Sequence, residues 1–214
     1  MNLEKYDVLI FDCDGVIFDT TNLKLSAFQN VLKEYDKKYI KQFTDYFRSN
    51  FGRSRFLHAR YFIENILNEP FQQKKYDKII SNFSKECKTI YETAELCKGV
   101  IDFLQNNPKL DKYVASGSAQ DELRNVFDKR GINSYFISIY GSPRLKNDLV
   151  NDICSKYSHN NILMIGDAEA DFKAAKLAGI DFLYVSRYSV DDDNMKKISK
   201  IENFKSIIDL SELV

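Results

Sequence analysis

The sequence predicts an α/β fold, a doubly wound parallel sheet interrupted by an all-helical insertion. Three observations lead there. An apolar run near the start, Val8-Leu9-Ile10-Phe11, reads as a strand buried on both faces. Nothing between Thr20 and Cys97 reads as a strand. From Gly99 onward short apolar strands alternate with helical stretches, the pattern of right-handed crossovers in a parallel sheet covered on both sides.

The elements follow in order. The first strand is expected over 7–11. Leu25, Phe28, Val31, Leu32 and Tyr35 then recur at helical spacing. Further helices are expected over 40–51, 54–67 and 71–89, with Pro70 separating the last two. That is too much helix for one crossover between neighbouring strands. Residues 20–96 therefore read as an inserted helical lobe, and 1–19 with 97–214 as the core. The core continues with a helix over 100–106 and a strand over 112–115. A helix over 120–130 takes Ser118 as its N-cap and stops at Gly131. Strands over 136–140, 162–165 and 182–185 alternate with helices over 146–157 and 171–178, the latter closed by Gly179. Asp191-Asp192-Asp193 reads as a solvated loop.

Composition narrows the function classes. The chain has 214 residues, 44% hydrophobic and 29% charged, with 31 basic and 31 acidic side chains. A net charge of zero argues against a basic nucleic-acid surface or a polybasic membrane anchor. No apolar run approaches a membrane span, and the first strand begins too early to leave room for a signal peptide. Cys13, Cys87, Cys97 and Cys154 form no Cys-x-x-Cys pair, and His58 and His159 are the only histidines, which argues against zinc. Scattered cysteines suit a reducing cytosol, so a cytoplasmic location is expected. Cys13 alternates away from its acidic neighbours and reads as packed.

The chemistry-bearing residues fall at strand ends. Asp12 and Asp14 are one residue apart where the first strand stops, and in extended chain they face the same side. Two carboxylates so close repel unless something positive lies between them, and a metal ion is the economical answer. The plainer reading is an acidic turn with Gly15 at a positive dihedral. The second strand ends at Ser116, and Ser116-Gly117 offers backbone N–H donors. Lys146 opens a helix behind Gly141-Ser142-Pro143, and the fourth strand runs into Gly166-Asp167-Ala168-Glu169-Ala170-Asp171. Each residue alone has an ordinary reading: Ser116 as a cap, Lys146 as a surface lysine, Asp167 and Asp171 as turn and helix-start residues. Together, at the carboxyl edge of one parallel sheet, they gather four acids, a hydroxyl and an ammonium in one crevice. Such a set suits phosphoryl transfer, where catalysis is positioning and electrostatics. Magnesium, which favours oxygen ligands, would offset the repulsion between a carboxylate nucleophile and a phosphate.

On these four motifs the chain resembles the haloacid dehalogenase superfamily of phosphotransferases, over about residues 6–185. The resemblance implies a Rossmann-like core with an inserted helical cap domain, similar to β-phosphoglucomutase and phosphoglycolate phosphatase. It implies Asp12 as the nucleophile that becomes an aspartyl-phosphate and Asp14 as general acid and base. Ser116, Gly117 and Lys146 would bind the phosphate. Asp12, the Asp14 carbonyl and Asp167 would hold Mg2+, and Asp171 would orient Lys146 or a metal-bound water. Asp14 argues against the dehalogenase branch. Gly52-Arg53-Ser54-Arg55 resembles the cap substrate loop of the phosphoglucomutase-like group, with Arg55 at the arginine that grips the substrate's distal end. Lys24 falls near the hinge, and His58 and Arg60 are weaker candidates. Arg55 also reads as an ordinary helix-start arginine.

The expected activity is hydrolysis of a small phosphorylated metabolite, a sugar, polyol or short-acid phosphate. A phosphomutase using the same intermediate is the alternative. A catalytically silent binding protein on the same fold would be expected to lack part of the constellation. A closed cap argues against protein or nucleic-acid substrates; the sequence leaves the oligomeric state open, a monomer being compatible with it.

Overall fold

The computed structural model describes residues 3–158 and 161–214, so His159 lies outside the described residues. Six strands form one parallel sheet: β1 (Val8–Phe11), β2 (Asp111–Ala119), β3 (Ser138–Ser142), β4 (Ile162–Gly166), β5 (Asp181–Val185) and β6 (Lys205–Ile207). Their order is β3-β2-β1-β4-β5-β6. Strand β1 is central and wholly buried, which is why its sequence is continuously apolar. Phe11 is level with Val114 of β2 and with Ile165 of β4. The order turns back between β1 and β4, and the crevice outside their carboxyl ends is where such sheets place ligands.

Helices cover both faces. Leu9, Phe11, Val114, Ile165 and Leu183 pack one way, against Phe103 of α5 (Val100–Asn106) and Phe127 of α6 (Gln120–Lys129). Val8, Ile10, Met164 and Tyr184 pack the other way, against Leu149 of α7 (Lys146–Cys154) and Ala174 of α8 (Glu169–Ala178). The alternation along each strand is the period-2 geometry of the pleat.

Between β1 and β2 the chain makes α1 (Thr21–Val31), α2 (Lys37–Ser49), α3 (Arg55–Tyr61) and α4 (Gln73–Thr93). A π-helical turn, Phe62–Ile66, continues α3. These helices have a core of their own, built on Phe28, Phe43, Phe47, Phe62 and Phe83. Phe28 and Phe83 stack at 3.7 Å. The two connecting segments run side by side, with Asp19 N–H donating to Glu95 O and Cys97 N–H to Ile17 O. The insertion thus leaves and rejoins the sheet at one point, a hinge geometry.

The structure corrects several expectations. Asp191-Asp192-Asp193 is no loop: Asp191 precedes and Asp192 starts α9 (Asp192–Glu202). Acidic residues at a helix N-terminus complement its dipole, so the run favours a helix start. Strand β6 was not expected, and its three residues present only Ile207 to the core. Strand β3 begins two residues later than expected, because a 3-10 turn at Asn133–Tyr135 delivers the chain to Phe136. Helix α7 stops at Cys154 rather than 157. Strand β2 runs on through Ser116-Gly117-Ser118 to Ala119. Among the described residues no helix is long and apolar enough to cross a membrane.

Candidate active site

The segments after β1, β2, β3 and β4 bring Asp12, Asp14, Ser116, Lys146, Asp167 and Asp171 together, all buried. Asp12 follows β1 and donates its N–H to Ile165 O at 2.9 Å, which ties it to β4. Its Oδ1 lies 3.0 Å from Nζ of Lys146, at the N-terminus of α7. Lys146 also donates to Asp171 Oδ1. The other oxygen of Asp171 accepts the N–H groups of Asp167 and Ala168, at 3.2 and 3.0 Å. Asp171 therefore fastens the turn after β4 and holds Lys146 toward Asp12. Gly166 is required beneath it, since a Cβ there would lie 2.5 Å from the Asp171 carboxyl carbon.

Asp12 and Asp167 are in the opposite condition. Both oxygens of each are buried without a hydrogen-bond partner, apart from the Lys146 ammonium beside Asp12. Oxygens of Asp12, Asp167 and Asp171 lie within 4.8 Å of one another. Burial pushes Asp12 up to about 7 against the pull of Lys146, and Asp171 and Asp14 add to the push. Burial, and then the charges of Asp12 and Asp171, hold Asp167 well above the usual carboxylate value. Burial opposes the Lys146 charge, but Asp12 and Asp171 more than reverse that and raise its proton affinity. Orphaned, crowded carboxylate oxygens are what a divalent cation would satisfy. Asp12 and Asp167 fit that role and Asp171 does not, because its oxygens are committed. Gly15, at φ 81°, lets Asp167 approach: a Cβ there would lie 2.2 Å from Asp167 Oδ2.

Asp14 is fully satisfied. Its Oδ1 accepts from Thr20 Oγ1 at 2.5 Å and Tyr91 OH at 2.9 Å. Its Oδ2 accepts from Lys24 Nζ at 2.5 Å and Ser118 Oγ at 2.8 Å. Burial raises the proton affinity of Asp14, but Lys24, with the Thr20 and Ser118 hydroxyls, outweighs it and holds the carboxyl below its usual range. Asp14 is thus held ionised, whereas the electrostatics of Asp12 call for a cation.

Ser116 accepts the N–H of Ser118 at 3.1 Å. The hydroxyl of Ser118 reaches Asp14, and α6 takes Ala119 as its N-cap with no side-chain bond, so Ser118 serves the site rather than the helix. Gly117 lies under the inserted lobe: a Cβ there would be 2.4 Å from Gly52 O and 2.7 Å from Arg53 O. Thr20, Ser118, Tyr91 and Glu122 were not anticipated as site residues. Ser118 is two past Ser116 on an extended segment, a same-side spacing that signals it. Tyr91 comes from α4 and leaves no such signal.

The cap-side candidates divide. Lys24 reaches Asp14 and also donates to Tyr91 OH at 2.7 Å. Arg55 sits in the wall of a cavity of about 30 Å³ that Asp14 also lines, with its guanidinium bound to Glu122 of α6. His58 is enclosed by the rings of Phe28, Phe43, Tyr46 and Phe47, and burial, with the Arg53 charge, pulls it down to about 3, so it is a neutral wall residue. Arg60 is exposed and paired with Glu64. Cys13 is fully buried in the core, and burial raises its thiol.

Known proteins share the fold that carries this site. A curated relative from Thermotoga maritima, a phosphorylated carbohydrates phosphatase, is 23% identical over 207 residues, spanning 87% of this chain and 88% of that protein. A predicted phosphoglycolate phosphatase from Haemophilus somnus superposes with a TM-score of 0.76 at 14% identity, covering 98% and 96% of the two chains. A β-phosphoglucomutase from Clostridium difficile superposes with a TM-score of 0.75 at 18% identity, covering 98% and 93%. These structures share the fold. The family model described as haloacid dehalogenase-like hydrolase matches residues 9–185. The chain belongs to the haloacid dehalogenase-like hydrolase family.

Proposed function

We propose that the protein is a magnesium-dependent phosphatase that hydrolyses a small phosphorylated metabolite through an aspartyl-phosphate on Asp12. A sugar, polyol or short-acid phosphate is the substrate class. The observation that carries this reading is the buried pair Asp12 and Asp167, four oxygens without hydrogen-bond partners beside the Lys146 ammonium. The name of the Thermotoga relative supports a carbohydrate phosphate.

Asp12 is the nucleophile. Asp14, ionised in the free enzyme, takes up the proton that a phosphomonoester monoanion carries in; one oxygen of Asp12 then forms a bond to phosphorus as the ester P–O bond breaks, and the departing alkoxide takes that proton from Asp14. Asp14, now ionised and held so by Lys24, Tyr91, Thr20 and Ser118, takes a proton from water. That water attacks phosphorus, the P–O bond to Asp12 breaks, and inorganic phosphate is released. Ser116, the Gly117 backbone and Lys146 hold the phosphoryl oxygens. Asp12, Asp167 and the Asp14 carbonyl would hold Mg2+, which, when bound, supplies the charge that keeps Asp12 ionised and lets it approach a phosphate. Asp171 orients Lys146.

Residues 20–96 are the cap domain, and 1–19 with 97–214 the catalytic core. The cap loop at Gly52-Arg53 closes over Gly117 and shields the site. We place the protein in the cytoplasm, which its unpaired cysteines support. The β-phosphoglucomutase neighbour keeps a phosphomutase as a second reading. Phosphate release in Mg2+, together with product analysis on phosphorylated sugars, separates the two. A wild-type enzyme that releases no phosphate from any phosphomonoester rules out the phosphatase.

A further inference from the structure

We infer that the protein has a second ligand site, a cleft between the lobes that takes an organic anion of at least two charges and, once filled, restrains the cap. The site lies outside the catalytic crevice, and its ligand is an effector rather than the substrate.

The cleft has a volume of about 690 Å³ and runs between α4 of the insertion and α6 of the core. Ser84, Lys88 and Tyr91 lie on one face of α4, and Glu122, Val126 and Lys129 on one face of α6. No residue that lines the cleft also lines the cavity beside Asp14. A hollow of that size at a seam between two lobes suits a metabolite-sized ligand. Its floor is apolar, from the buried Tyr91 and Val126.

Charge selects the ligand. Lys85, Lys88, Lys129 and Arg130 face Glu92 and Glu122 across the cleft. Glu122 is taken up by Arg55, and Glu92 lies 4.0 Å from Lys129. Among the described residues Lys85, Lys88 and Arg130 make no ion pair. Arg130 donates from Nη1 to Ala94 O at 2.8 Å, a neutral acceptor that leaves its charge unmatched. Unmatched cations therefore stand on both walls, Lys85 and Lys88 on the cap side and Arg130 on the core side. An anion with charges at two ends and an apolar body answers both the walls and the floor, and it touches both lobes.

The walls of the cleft also hold active-site side chains. Tyr91 donates its hydroxyl to Asp14 Oδ1 at 2.9 Å, and Ser84 and Glu122 hold the Arg55 guanidinium. A ligand that needs both walls binds the closed arrangement better than an open one and shifts the population toward it. Substrate enters and product leaves by parting the lobes, so the effector lowers turnover.

Benzene-1,3,5-tricarboxylate is the probe, three charges on a flat apolar ring with no phosphate to hydrolyse. Added to the full-length protein in Mg2+, it should raise the melting temperature and slow hydrogen exchange in 81–92 and 122–130 together. Its affinity, read by titration calorimetry, should fall as salt rises. The double variant Lys85→Glu with Lys88→Glu should bind it about tenfold more weakly or worse. Both lysines lie outside the catalytic crevice, so the variant should keep its basal turnover of p-nitrophenyl phosphate. The probe should lower kcat in the wild type and leave the variant unaffected. Orthovanadate, which competes for the phosphoryl site, should not displace it.

A melt that the probe leaves unmoved overturns the inference, as does binding that the charge-reversed variant retains. Displacement by orthovanadate would put the probe at the phosphoryl site and overturns it too. A kcat that the bound probe does not change shows an unrestrained cap and removes the effector. Absence of p-nitrophenyl phosphate turnover counts against the phosphatase alone, since calorimetry and the orthovanadate competition still decide the site.

Discussion

Lys24 places its ammonium 2.5 Å from Oδ2 of Asp14, with both side chains buried. The pair joins the first helix of the insertion to the loop after the central strand. It sets the charge of the proposed acid and base.

Lys24→Met should therefore change the acidity of the site as well as its rate. Without the ammonium, burial dominates and Asp14 binds its proton more tightly. Asp14 has a depressed folded value in the native protein, so its ionisation stabilises the fold above the unfolded carboxylate value, and that stability is lost as pH falls through the folded value. The variant should lose that contribution at neutral pH, up to about 3 kcal/mol, since three hydroxyls remain on the carboxylate. The acid limb of the pH–rate profile should move upward. An unmoved limb would separate Lys24 from Asp14 in function.

Asp12 makes the opposite contribution in the metal-free protein. Its folded value is raised from 3.8 to about 7, so the folded state binds the extra proton and stability falls as pH rises from about 4 to 7. Thermal melts in chelator should show that decline, roughly 2–4 kcal/mol across the window. Asp12→Asn should lessen it, leaving the part that buried Asp167 contributes, and abolish phosphate release. A variant with the same slope and preserved turnover would contradict both roles.

Magnesium should restore the stability that chelator removes at neutral pH, and activity with it. Calcium, larger and longer-bonded, should occupy the site and inhibit. Asp167→Asn should weaken magnesium protection in melts by about tenfold or more in apparent affinity. Full activity in chelator would remove the metal from the mechanism.

Gly117→Ala tests cap closure. The added methyl would lie 2.4 Å from Gly52 O, across the seam between the lobes. Core stability should change by less than about 1 kcal/mol, while kcat/KM falls about a hundredfold. Hydrogen exchange should quicken at residues 50–58 and not in β1 or β4. Unchanged kinetics would show that the seam opens freely.

That these residues meet in one crevice was legible because its signals are local. Apolar runs end in Asp12-x-Asp14, Ser116 and Gly166-Asp167, and parallel topology carries those ends to one edge. Local pattern misled where short or polar elements depend on distant partners. Strand β6 exists because β5 offers an edge, and α9 buries only Met195.

The residues themselves therefore determined the fold class, the helical insertion and the acidic and basic groups that meet at the sheet edge. Only the tertiary structure decided how those groups are paired. Arg55 meets Glu122 across 67 residues and Tyr91 meets Asp14 across 77, distances over which no periodicity or turn signal operates. Those pairings follow from how the lobes pack, which brings Arg55 against Glu122 and Tyr91 against Asp14.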